Sequence, residues 1–316
     1  MSNFAHHGMG WMPDIPDFRD YSIESDVVNE IFENAAMSVS PLTTMRSPAK
    51  GKKTDEAVSN PALPARVDLR TWCPPIEDQG ILGSCTAMAG VGLLEYFQRR
   101  AFNTHLDGSK LFLYKVTRNL LQWTGDTGAY LRTTMKAMAA FGVCPEQYWP
   151  YSASKIGVNG AATDPFEREP TGFCYQFAAN YKTTIYYRLD PAGTTRANVL
   201  KNVKTNIAAG LPSMFGFSVY DSIRQANTSG KIPYPVSSDR ANGGHAVVAG
   251  GYDDNLEIKH TGASTKTKGA LLIRNSWGTG WGDAGYGYLP YAYITNGLAI
   301  DFWSLVRADY FNTGKF

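Results

Sequence analysis

Apolar residues along this chain recur with two different periods. Residues 84–100 (SCTAMAGVGLLEYFQRR) place Met88, Val91, Leu94, Tyr96 and Phe97 at helical spacing, after a serine and before two arginines. That order suits a helix whose start takes a capping hydroxyl and whose end takes cations. Gly90 and Gly92 lower its intrinsic propensity, so the helix is expected to be buried and held by packing. The same spacing predicts helices over 110–121, 130–141 and 197–209. Beyond Leu211 the texture changes. Residues 213–220, 246–252, 269–275 and 285–290 are short, aromatic or β-branched, and bounded by Gly and Asn, which predicts strands. A short strand is expected at 65–70, and the Pro- and Gly-studded stretch 72–83 reads as a loop. Helices first and strands later point to an α+β protein with two sub-domains.

The first 62 residues differ. They hold an aromatic, proline-bearing stretch (GMGWMPDIPDFRDY), an acidic amphipathic piece at 26–36 and a polar stretch rich in Pro, Ser and Lys that reads as a linker. The expected division is therefore 1–62 as a pro-like or regulatory segment and 63–316 as the main domain, its first sub-domain about 63–195 and its second about 196–305.

Composition narrows the function classes. The 316 residues are 43% hydrophobic and 18% charged, as in globular proteins, and the formal net charge is +2 with no dense Lys/Arg run. Nucleic acid is not expected as a partner. No apolar stretch reaches the roughly 18 residues of a membrane span. The opening residues lack the pattern of a conventional secretory leader, so cytoplasm or leaderless export is expected. A monomer is expected. The four cysteines, Cys73, Cys85, Cys144 and Cys174, form no C-x-x-C pair, which argues against structural zinc. No cofactor or metal is called for.

One cysteine has a chemical setting. Cys85 falls in the first turn of the first predicted helix, where unpaired N–H groups and the helix dipole stabilise a thiolate. A buried cysteine is more often a small hydrophobe, so the case needs a base. His6 and His7 lie in a tail that reads as mobile, and His105 and His260 in polar loops. His245, in GGHAVVAGGYDD, stands where a loop turns into a buried strand, a rigid place from which to present an imidazole. Asn275 follows the apolar run 270–273, and its side-chain oxygen could fix the imidazole tautomer. Trp277 would shield that bond from water.

Gln79 stands six residues before Cys85 in QGILGSC, His245 opens HAV, and Asn275 opens NSWGTGWG followed by Gly285–Tyr286. These three blocks, in this order, resemble the papain family of cysteine peptidases over about residues 62–305. The resemblance implies a papain-like fold, with a helical left sub-domain, a β-barrel-like right one and the active-site cleft between them. It implies Cys85 as nucleophile, His245 as its base, Asn275 as the residue orienting that base, and Gln79 with the Cys85 amide as the oxyanion hole. Gly128 would pair with substrate backbone, Ala129, Tyr130 and Ala246 would line the S2 pocket, Trp277 would also contact substrate, and polypeptides would be the substrates. Three positions depart from the family pattern. Thr86 replaces an aromatic, Leu82 replaces a cysteine (removing a usual disulfide and fitting a bacterial type), and Gly244 replaces Asp or Asn. An acyltransferase on the same fold and an inactive peptide-binding homologue are the alternatives. No long helical propeptide signature precedes the domain. Residues 1–62 are instead expected either to cross the cleft and keep a zymogen shut, or simply to pack on the body.

Overall fold

The computed structural model describes residues 7–29, 63–153, 157–158, 161–162, 164–308 and 311–312. The expected linker and most of the acidic piece at 26–36 lie outside them; of the latter only Asp26–Asn29 is described, and it is helical. The helices are α1 (Cys85–Phe102), α2 (Lys110–Leu121), α3 (Leu131–Ala140), α4 (Gly172–Ala178), α5 (Arg196–Ala208) and α6 (Tyr291–Thr295). The strands are β1 (Arg66–Asp68), β2 (Gly157–Val158), β3 (Ala161–Ala162), β4 (Thr183–Arg188), β5 (Ser213–Tyr220), β6 (Ala241–Lys259), β7 (Lys266–Arg274), β8 (Tyr286–Pro290), β9 (Ala299–Ala308) and β10 (Phe311–Asn312).

Eight strands form one antiparallel sheet in the order β10-β9-β5-β6-β7-β8, with β1 added on β6 and β4 on β9. The sheet thus draws β1 and β4 from chain that precedes residue 196. β2 and β3 pair separately. Helix α1 packs against α2 and α3 on one side and against β5 and β6 on the other. Every residue from Cys85 to Gln98 is consequently buried, and glycine at 90 and 92 costs little where packing holds the helix. Gly92 also makes room for the Arg274 guanidinium, which would lie 2.7 Å from a β-carbon there.

Two local expectations change. Ser84 is the residue before α1, but its hydroxyl does not cap the helix; it pairs with the Tyr151 hydroxyl at 2.7 Å. His245 is not at a loop-to-strand junction. β6 begins at Ala241, because β5 supplies ladder partners as far as Tyr220 opposite the polar stretch 241–244. Cysteines 73, 85, 144 and 174 are all buried and free. Among the described residues no helix is long and apolar enough to cross a membrane.

Candidate functional site

Cys85 opens α1 and is fully buried. Backbone amides of Ala246, Gly10, Thr86 and Cys85 itself point at its sulfur. Those donors favour a thiolate, yet the loss of water outweighs them and pushes the thiol up to about 11. His245 lies opposite Phe217 in the β5–β6 ladder and is likewise fully buried. Its Nε2 sits 2.7 Å from Asn275 Oδ1. That oxygen also accepts the Ser276 amide at 2.8 Å, which identifies it as the oxygen of the side chain. Nε2 is therefore the protonated nitrogen, and Nδ1, without a hydrogen-bond partner, holds the lone pair. Trp277 stacks on the imidazole at 4.6 Å, and Trp281 closes edge-on over Trp277 at 5.3 Å. Desolvation pulls His245 down to about 4, against the opposing pull of Asn275. A neutral thiol and a neutral imidazole thus share this site at rest.

Gln79 is held by residues that its sequence block does not reveal. Its Oε1 accepts from the Ser276 hydroxyl at 2.6 Å, and its amide donates to the Ser276 carbonyl at 2.9 Å. The side-chain amide is thereby turned so that Nε2 donates to Leu82 O at 2.8 Å and to Gly8 O at 2.9 Å. Tyr151 fixes the same loop from behind, its hydroxyl donating to Gln79 O at 2.8 Å. Asp126 holds the next turn by accepting the Gly83 amide at 2.9 Å and the Tyr114 hydroxyl at 2.6 Å. Ser276, Tyr151 and Asp126 lie far apart in sequence, and only the fold brings them to one loop.

Residues 7–12 run directly over these groups. The Gly8 amide donates to Gly80 O at 3.1 Å while Gly8 O takes the Gln79 side chain. Gly10 O accepts from the Ala129 amide at 2.8 Å, and the Met12 amide returns a bond to Ala129 O at 3.2 Å, so Trp11 and Ala129 pair in parallel. The Trp11 amide donates to Gly244 O at 3.1 Å. His7, expected to be loose, stacks on Trp277 at 5.3 Å and lies 3.3 Å from Asp78. The path demands glycine: a β-carbon on Gly8 or Gly10 would collide with the backbone of residues 81–83.

Of the expected substrate-binding residues, Ala129 pairs with this segment and Trp277 packs against His7. A β-carbon on Gly128 would strike Gly10 O, and the Ala246 amide faces Cys85. Tyr130 turns elsewhere and packs on Trp123. Gly244, the departure from the family pattern, now has a physical reason, because a β-carbon there would lie 2.7 Å from Trp11 Cε3. Further along, Arg132 of α3 grips the segment, bonding Asp14 at 2.7 Å and Asp20 at 2.6 Å, and the Arg188 amide of β4 donates to Tyr21 O at 2.7 Å. Among the described residues Glu77, Glu95 and Asp107 cluster as metal ligands might be drawn, but the Lys110 ammonium already pairs with all three.

Comparison with known proteins agrees with this geometry. The family described as papain family cysteine protease matches residues 63–299. An uncharacterized peptidase C1-like protein of Acanthamoeba polyphaga mimivirus is 34% identical over 232 residues, covering 72% of this chain and 68% of that one. Cathepsin K of Mus musculus is 25% identical over 258 residues, covering 79% and 68%. The crystal structure of xylellain, a cysteine protease from Xylella fastidiosa, superposes with a TM-score of 0.70 at 32% identity, covering 95% of this chain and 96% of that one.

Proposed function

Because the chain belongs to the papain family of cysteine proteases, and is a papain-like cysteine peptidase, we propose that Cys85, His245, Asn275 and Gln79 are its catalytic residues and that residues 7–12 hold it shut. His245 Nδ1 takes the Cys85 proton, and the thiolate attacks the scissile carbonyl. Asn275 keeps the other proton on Nε2, so the imidazole always presents its lone pair to the sulfur. Gln79 Nε2 and the Cys85 amide donate to the oxygen that becomes negative, and a preformed donor of this kind is worth roughly 10²–10³ in rate. The imidazolium then protonates the departing amine, and water, deprotonated by the same nitrogen, releases the acyl group from sulfur.

The observation that carries both halves of this reading is a single hydrogen bond: the Gln79 side chain donates to Gly8 O. The donor that a reacting carbonyl needs is taken by a carbonyl of the chain's own N-terminal segment, while the Gly10 amide faces the sulfur. Substrate then has to displace residues 7–12 or wait for their removal.

The test uses an epoxysuccinyl peptide, which alkylates an activated thiol, on the full chain and on a chain beginning near Pro61. The label is expected on Cys85, by peptide mass spectrometry, and at least about tenfold faster on the shortened chain. A label on another cysteine overturns the catalytic assignment. Equal rates overturn the blocking role.

A further inference from the structure

The Trp11 side chain fills a slot built around it. Its floor is one face of the β5–β6 pair: a β-carbon on Gly216 would fall inside the indole ring, and one on Gly244, two residues from Gly216's ladder partner Ala246 and on the same face, would meet Trp11 Cε3 at 2.7 Å. The three atoms nearest to each of those absent β-carbons all belong to Trp11, so the two glycines let residue 11 and its flat ring lie directly on the strand backbone. At the end of the slot is Asp301, fully buried in β9, with Oδ2 accepting from Trp11 Nε1 at 3.2 Å.

Asp301 is aimed there by the backbone. Met214 pairs with Trp303 and Gly216 with Ile300, so β9 carries an extra residue at this point, and such a bulge re-aims a side chain. Asp301 stands at φ 69°, held by amide bonds from Asp301 and Phe302 to the Asp190 carboxylate at 2.7 and 3.0 Å. Its two oxygens have different duties. Oδ1 is taken by the core, accepting from Trp303 Nε1 at 2.7 Å and lying 3.2 Å from the Arg188 guanidinium. Oδ2 faces the slot and takes its hydrogen bond from residue 11. When the segment leaves, that buried acceptor loses its donor.

We infer that Asp301 sets which substrate side chain this slot prefers, and that the preferred one is tryptophan: a flat ring to lie over Gly216 and Gly244, and one N–H for Oδ2. The inference rests on the reading that residues 7–12 lie where substrate lies. A peptide extended along Ala129 presents its paired side chain to the same slot, because side chains alternate faces along any extended strand. Arg188 already supplies a cation to the carboxylate, so a second charge is not what the vacated oxygen lacks.

The experiment uses the full chain carrying Gly10→Ala, whose added methyl cannot coexist with the Gly83 backbone and so dislodges the segment. Peptide substrates differ only at the second residue before the cleaved bond: Trp, Phe, Leu, Arg or Ala. The expected kcat/KM for Trp exceeds that for Phe by about tenfold, the worth of one hydrogen bond to a buried acceptor. With Asp301→Asn added, the side-chain oxygen stays on Trp303 and an NH₂ faces the slot. The Trp to Phe ratio then falls toward one, whereas a merely structural loss would lower every peptide alike. Gly216→Ala, which leaves the Asp301 network untouched, should lower Trp and Phe together by at least about tenfold relative to Ala as its methyl narrows the slot. Phe, Leu or Arg matching or exceeding Trp overturns the inference and leaves the blocking role standing. If Gly10→Ala turns over none of the peptides faster than the unaltered chain does, the blocking role fails and takes the inference with it.

Discussion

At the scale of single residues, the two groups proposed to react are stored uncharged. His245, at an ordinary value of 6.5, is lowered to about 4, and Cys85 is raised from 9 to about 11, both by loss of water. The sign for His245 follows from its lowered value. As pH falls below about 6.5 the unfolded chain takes up a proton that the closed form refuses until about 4, so stability drops across that window. Between pH 7 and 4.5 the loss from this one group is about 2–3 kcal/mol. Denaturant titration at both pH values should find that the unaltered chain loses about that much more than His245→Phe, which has nothing to protonate. Equal losses would mean that the imidazole is hydrated in the closed form. Conversely, the Cys85 contribution is present below about pH 9 and fades as pH rises toward 11. These two groups together therefore favour the fold most near neutrality.

Elements matter here as anchors for loops. The loop carrying Gln79 has no ladder of its own. It is stitched to the end of β7 through Ser276 and to α1 through Tyr151, whose hydroxyl links Ser84 Oγ and Gln79 O. In Tyr151→Phe the packing ring remains and the Gln79 carbonyl loses its donor, a cost of about 1–3 kcal/mol in stability. Measured on the opened chain, kcat should fall several-fold with KM little changed, because Gln79 serves the transition state. An unchanged kcat would show that Ser276 alone positions the loop. Much of this level was legible in the sequence. Cys85, His245, Asn275 and Gln79 were marked by motif and order, and α2 and β5 by periodicity. β9 was not, since residues 298–306 form a nearly continuous apolar run; in β9 the consecutive residues 301–306 are all buried, so both faces are covered and alternation disappears. The early start of β6 was hidden because its first four residues, Ala241, Asn242, Gly243 and Gly244, carry no strand-forming side chain and owe their ladder to β5. Trp11 was noticed only as an aromatic in a proline-bearing stretch; its meaning depends on Gly216 and Gly244, more than 200 residues away.

Across the whole molecule, the N-terminal segment is held at two places with different chemistry. Over the site the contacts are mainly backbone hydrogen bonds, with the Gln79 side chain on Gly8 O, the His7 ring on Trp277 and the Trp11 indole in its slot. Beyond it, Asp14 and Asp20 converge on Arg132, a partly shielded cation on α3 that also donates to Ile15 O at 2.6 Å. Removing that grip leaves the catalytic groups untouched. Arg132→Ala in the full chain should raise the rate of Cys85 alkylation several-fold and leave a chain beginning near Pro61 unaffected. The same rate in both forms of the full chain would place all of the holding force over the site.

The segment is covalently continuous with the body it covers, through the chain between Asn29 and Leu63. Tethering turns its docking into a unimolecular event, at an effective concentration that does not depend on how much protein is present. On the proposed blocking role, modest contacts then suffice to keep the enzyme silent, and diluting the protein does not wake it. A single cut anywhere in the connection changes the order of the reaction: the segment becomes a free peptide, its grip falls to its bare affinity, and from that moment the volume into which the enzyme is released decides how much of it is active.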